Sequence, residues 1–146
     1  MVNGESNGKV ALITGANKGL GLEMSRQLAQ QGFIVLVASR KLSAAEEAAT
    51  ILKHEGLKAD AIVLDVNNST QIQTAFQEIE QRFGKLDALI NNAGVMLDGD
   101  WITSNASSVS LDTIRKTFDT NFFALVETTQ TLLPLILKSQ SGRIVN

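Results

Sequence analysis

Three glycines stand between an apolar run and an amphipathic one. Lys9 to Thr14 (KVALIT) is followed by Gly15-Ala16-Asn17-Lys18-Gly19-Leu20-Gly21, and Leu20, Met24 and Leu28 then recur at four-residue spacing up to Gly32. A glycine-rich turn that closes a strand and opens a helix is where a dinucleotide pyrophosphate binds, because the free N–H groups of the helix start face the anion. In that reading Gly15 takes the tight turn, Gly19 lets the backbone approach a phosphate and Gly21 lets helix and strand pack closely. Asn17, Lys18 and Leu20 fill the rest of the turn. A P-loop would need Gly-Lys-Ser/Thr at its end, where this chain has Gly19-Leu20-Gly21, so triphosphate hydrolysis is disfavoured. Roughly twenty residues on, where an acid would hold a ribose 2′-hydroxyl, the sequence reads Ser39-Arg40-Lys41. A carboxylate would repel a 2′-phosphate, whereas Arg40 can grip one with a planar fork and Lys18 can add a second charge, so NADP(H) is expected over NAD(H). The other role open to Arg40 and Lys41 is that of solvated loop charges.

The elements that must carry these residues alternate. Phe33 to Ser39 is a near-continuous apolar run, as in a strand covered on both faces. Ser43 with Glu46 reads as a capping box opening a helix whose Ala45, Ala48, Ala49 and Leu52 share a face up to Gly56. Lys58 to Leu64 follows as a third strand. Ser69 or Thr70 is expected to cap a helix striped by Ile72, Ala75, Phe76, Ile79 and Phe83 and ending at Gly84. Leu86 to Asn91 makes a fourth strand, and residues 97 to 110 read as a surface loop holding Trp101. A long helix over 112–137 is expected to be capped by Asp112, with Phe118, Phe122, Leu125, Val126, Thr129, Leu132, Leu133 and Ile136 on its buried side and Pro134 bending or ending its last turns. Arg143 to Val145 starts a fifth strand. This alternation predicts one α/β domain over 1–146, a doubly wound parallel sheet in the order 3-2-1-4-5.

Composition removes other classes of function. Thirteen Lys and Arg against fifteen Asp and Glu give a net charge of -2, with no basic surplus for a nucleic-acid backbone. The longest apolar run, Phe33 to Ala38, is far short of the roughly 20 residues that cross a bilayer, so no membrane partner is expected. Met1 to Val10 lacks the apolar stretch of a secretory signal, and the absence of cysteine rules out disulfides and thiol chemistry. A cytoplasmic protein is the expectation. His54, near a helix C-terminus, reads as an exposed residue.

Thr14 to Gly21 as TGxxxGxG, Leu64-Asp65-Val66, Asn91-Asn92-Ala93-Gly94, Thr120-Asn121-Phe122-Phe123 and the ending Gly142-Arg143-Ile144-Val145-Asn146 together resemble the short-chain dehydrogenase/reductases. Asn17 and Lys18 make the turn most similar to the carbonyl-reductase-like branch. The resemblance implies a Rossmann fold lacking its later strands and helices, in which Asp65 hydrogen-bonds the adenine amino group and the Val66 backbone lies against the ring. It further implies that Asn92, Ala93 and Gly94 line the ribose side. Asn121 resembles the catalytic asparagine, whose mid-helix place bends the backbone so that a water can reach the active-site lysine. Read without the resemblance, Asp65 could cap the next helix, Asn91-Asn92 could mark a turn, and Asn121 could be an ordinary polar helix position. The resemblance also places the catalytic serine just beyond Asn146 and the Tyr-x-x-x-Lys pair after it. The chain itself contains no tyrosine.

Three functions remain open on these residues. One is the cofactor-binding half of an NADP(H)-dependent oxidoreductase of small carbonyl or alcohol substrates. Another is a noncatalytic NADP(H)-binding module. The third is a homo-oligomer partner acting through the helix 112–137, which the resemblance places at a dimer interface.

Overall fold

The computed structural model describes residues 7–97 and 107–146. Five parallel strands, β1 (Val10–Ile13), β2 (Ile34–Ser39), β3 (Ala59–Val63), β4 (Ala88–Ile90) and β5 (Arg143–Val145), form one sheet in the order β3-β2-β1-β4-β5. The expected order holds, and strand ends differ from the expected ones by a residue or two. Register is set by apolar partners: Leu12 lies beside Leu36 and Leu89, and Ile13 beside Val37 and Ile90.

Helices α1 (Gly19–Gln30), α2 (Leu42–His54), α3 (Ser69–Phe83), α4 (Leu111–Phe118) and α5 (Ala124–Leu137) complete the layers. Successive strand side chains point to opposite faces, which splits the core in two. On one face Leu12, Leu36, Ile62 and Leu89 pack with Ile72 and Ile79 of α3 and Leu132 and Leu135 of α5. On the other, Ala11, Ile13, Val35 and Val37 pack with Ala29 of α1 and Ala48, Ala49 and Leu52 of α2.

Helix starts depart from the expected ones. α2 begins at Leu42, with the Ala45 amide already bonded to the Lys41 carbonyl, so Ser43 lies inside the helix. Asn68, not Ser69 or Thr70, caps α3 by accepting from the Gln71 amide at 3.1 Å. Ser110, not Asp112, caps α4, and Asp112 pairs instead with Lys116 one turn on. In α1 the buried face is Gly21, Ser25 and Ala29, while Leu20 is 70% exposed. Small residues let α1 approach the sheet closely, which turns the larger ones toward its flanks.

The expected long helix is interrupted. A π-helical turn, Asp119–Phe123, separates α4 from α5. Each π turn inserts an extra residue and so shifts the phase of the apolar stripe. Leu132 and Ile136 are buried as expected, but Phe118 and Phe122 are 55% and 53% exposed, and Leu133 also faces out. α5 continues one turn beyond Pro134. His54 is exposed. Trp101 and most of its loop lie outside the described residues.

Candidate functional site

The carboxyl ends of β1 to β4 meet at a cleft of about 420 Å³. β1 and β4 are adjacent although three crossovers separate them in sequence, which is the switch point where ligands bind in open α/β sheets. All the cofactor residues expected from the sequence line it. Gly15, Asn17, Lys18, Gly19 and Leu20 come from the turn after β1, and Arg40 from the end of β2. Asp65 and Val66 follow β3, and Asn92, Ala93 and Gly94 follow β4.

A buried hydroxyl joins the two central loops. Thr14 Oγ1 accepts from the amides of Asn92 and Ala93, both at 3.0 Å, and Asn92 Nδ2 donates to the carbonyls of Thr14 (3.0 Å) and Gly15 (3.1 Å). Glycine is needed where the loops touch. At Gly15, with φ of 61°, a Cβ would stand 2.9 Å from Ala93 Cα, and at Gly21 it would stand 2.5 Å from Asn92 Nδ2. Asn92 therefore props the turn from behind, beyond the lining role expected of it. Thr14 opens the glycine motif, yet its sequence context gave it no role. The signal was its place as the one hydroxyl of the KVALIT run, directly before the turn.

The opposite wall of the cleft carries little backbone in its way. Gly19 has φ of 57° and open space where a Cβ would be. Lys18, the N-cap of α1, makes no side-chain cap, and Lys41 makes none for α2. The first-turn amides of both helices thus lack the side-chain acceptors that Asn68 and Ser110 give α3 and α4. Lys18 and Arg40 are exposed and make no ion pair among the described residues.

Asp65 does not cap α3. Its Oδ1 accepts from the Asn67 amide at 2.9 Å, and its own amide donates to Gln71 Oε1 at 2.7 Å. Asn121 lies in the π turn and pairs with the Val95 backbone in both directions: Nδ2 donates to the carbonyl at 2.7 Å, and Oδ1 accepts from the amide at 2.8 Å. Its neighbour Thr120 and the loop residue Val95 both line the cleft. Among the described residues no group of acidic, histidine or cysteine side chains is arranged to hold a metal, and no helix is long and apolar enough to cross a membrane.

Comparison with known proteins gives one family. The short chain dehydrogenase family model matches residues 9–146. The ketoacyl reductase HetN of Nostoc sp. is 39% identical over 95% of this chain and 47% of its own length. Short-chain dehydrogenase/reductase 1 of Saponaria officinalis is 37% identical over 94% of this chain and 52% of its own. Among solved structures, an actinorhodin polyketide ketoreductase variant with NADPH superposes with a TM-score of 0.85 at 29% identity, over 97% of this chain and 54% of that one. A putative short chain dehydrogenase from Escherichia coli complexed with NADPH gives 0.85 at 27%, over 97% and 58%. The chain thus spans about half the length of the relatives it matches. On fold, cleft and sequence alike, it belongs to the short-chain dehydrogenase family.

Proposed function

We propose that this chain is the nucleotide-binding half of an NADP(H)-dependent oxidoreductase of small carbonyl or alcohol substrates. The observation that carries the reading is the cleft itself, where the start of α1, which no side chain caps, the open backbone at Gly19 and two cations, Lys18 and Arg40, that make no ion pair among the described residues come together. This arrangement suits a ligand with a pyrophosphate and a further phosphate. The amides at the start of α1 would take the pyrophosphate, Arg40 and Lys18 the 2′-phosphate, Asp65 and Val66 the adenine, and Asn92, Ala93 and Gly94 the ribose side. The NADPH-bound neighbours support the same cofactor.

Bound NADPH would supply a hydride to a carbonyl carbon. The chain's own residues would orient the dinucleotide, and Asn121, fixed to Val95, would stand on the wall toward the substrate. Proton delivery to the developing alkoxide contributes roughly 10²- to 10⁴-fold. With no tyrosine among the 146 residues, the proposal assigns them binding and orientation without turnover of their own. Cytoplasmic location is part of the same reading.

Calorimetric titration tests it. NADPH should bind more tightly than NADH, and Arg40→Asp should remove or reverse that preference. Equal affinities in the parent chain would overturn it. A homo-oligomer built on residues 112–137 is the second reading, favoured by the exposed Leu111, Phe118, Phe122, Leu133 and Leu137. Sedimentation as a monomer at all concentrations would dismiss it.

A further inference from the structure

The segment that carries Asn121 is weakly held by packing. Neither α4 nor the π turn buries a single residue. Two adjacent side chains of the turn reach instead to two different loops of the cleft. Asn121 holds Val95 after β4, as described, and Thr120 holds Asn67 after β3: Asn67 Nδ2 donates to Thr120 Oγ1 at 3.0 Å, and Thr120 Oγ1 donates back to Asn67 Oδ1 at 3.3 Å. Asn67 is in turn fixed through its amide by the Asp65 carboxylate. A series of hydrogen bonds therefore runs from the Asp65 carboxylate through Asn67 to Thr120, the residue beside Asn121.

We infer that Thr120 and Asn67 are a positioning pair, through which occupancy of the adenosine half of the cleft fixes the π turn and with it Asn121. The inference rests on the NADP(H) reading. A nucleotide that engages Asp65 and Val66 orders the loop bearing Asn67, and the reciprocal bonds to Thr120 pass that order to a turn with no core contacts to hold it. Regions with few buried contacts open at low cost, so their amide exchange reports such a restraint directly.

The probe is 2′,5′-ADP, which has the adenosine, the 2′-phosphate and the nearer phosphate of the pyrophosphate but no nicotinamide to touch Val95 or Asn121. Its affinity is measured by calorimetry, and exchange over residues 117–125 by mass spectrometry, on the whole 146-residue chain. Binding should slow exchange in the π turn by roughly twofold to tenfold, the span expected of one net hydrogen bond. At 2′,5′-ADP concentrations that saturate each chain by calorimetry, Thr120→Val, and from the other loop Asn67→Ala, should lose the slowing, and Thr120→Ser should restore it. Binding to the parent without slower exchange, or full slowing in Thr120→Val, overturns the pair alone. No binding of 2′,5′-ADP by the parent overturns the nucleotide reading and the pair together.

Discussion

At the amino end of the sheet, polar groups are satisfied by the chain itself. Asp87, only 5% exposed, accepts from the Val10 amide at 2.8 Å and from Ser139 Oγ at 2.6 Å, and pairs with Lys85 at 3.0 Å, while its own backbone bonds both β1 and β5. One residue thus ties β1, β5 and the turn that leads from α5 to the start of β4. At the carboxyl end the same strands run out into a turn that no side chain caps and a cleft lined by cations that are unpaired among the described residues. Internal pairing at one end stabilises the fold, and its lack at the other leaves donors and charge for a ligand. The contrast teaches where a substitution should be felt: in stability at the amino end, in nucleotide affinity at the carboxyl end.

The largest effect is expected from Asp87→Ala. It strands a buried amide, a hydroxyl and a lysine, which costs about 3 kcal/mol by the usual scale for a broken buried network. Denaturant melts should show that loss, while the folded fraction binds NADPH as before. Acid adds a second test. Burial pushes the Asp87 carboxyl up, but the Ser139 hydroxyl, the Val10 amide and Lys85 together outweigh it and hold the group below its ordinary range. A depressed folded value means its stabilisation is present above the unfolded value, near 4, and is lost as pH falls through the folded one. Asp87→Asn should flatten that acid-side fall. An unchanged profile would remove Asp87 from its place in the comparison.

Much of the carboxyl end was legible in the sequence because it is written locally: a glycine turn, a basic pair and two short motifs each sit at the end of one strand, and alternation gave the strand order that brings them together. The amino end was silent. Asp87 meets Val10 and Ser139 from 77 and 52 residues away, and no periodicity marks such partners. The same distance hid the pairing of Asn67 with Thr120. The helical stripe through Phe118 and Phe122 misled because it assumed an unbroken period, and the π turn resets the phase. Caps were misplaced at α3 and α4 because Ser, Thr, Asp and Asn crowd those helix starts, and only the backbone decides which side chain faces a free amide, whereas α2 starts from Lys41 with no side-chain cap at all.

Thr14 sits at the carboxyl end, and it sharpens the contrast because its hydroxyl is satisfied by the chain itself, as the polar groups of the amino end are. Thr14→Val keeps the shape but leaves the Ala93 amide without its acceptor and the Asn92 amide with the Ile90 carbonyl alone, next to a buried side chain. About 2 kcal/mol of stability should be lost. NADPH affinity should fall as well, because the same hydroxyl fixes the loop on the ribose side of the cleft. A variant that loses stability yet binds NADPH as tightly as the parent would show that the Asn92 loop is held by Asn92 alone.

The smallest expected effects have opposite signs and come from two helix starts. Asn68 caps α3 from extended backbone, and Asn68→Ala should cost about 1 kcal/mol. Lys18 occupies the same position on α1, also with extended backbone (φ -160°, ψ 172°), but supplies no acceptor. A serine there can turn its hydroxyl to the free amides, so Lys18→Ser should stabilise the chain by about 0.5 kcal/mol, a gain at the low end of the capping scale. That gain should weaken nucleotide binding, since the amides it occupies are those the pyrophosphate needs. Removing the lysine also removes a charge, so Lys18→Ala serves as the control: it should bind NADPH less tightly than the parent without becoming more stable than the parent. Thermal melts and titrations of the three chains separate the two causes. If Lys18→Ser proves no more stable than Lys18→Ala, the start of α1 has no unmet demand for an acceptor, and the contrast between the two ends of the sheet rests on charge alone.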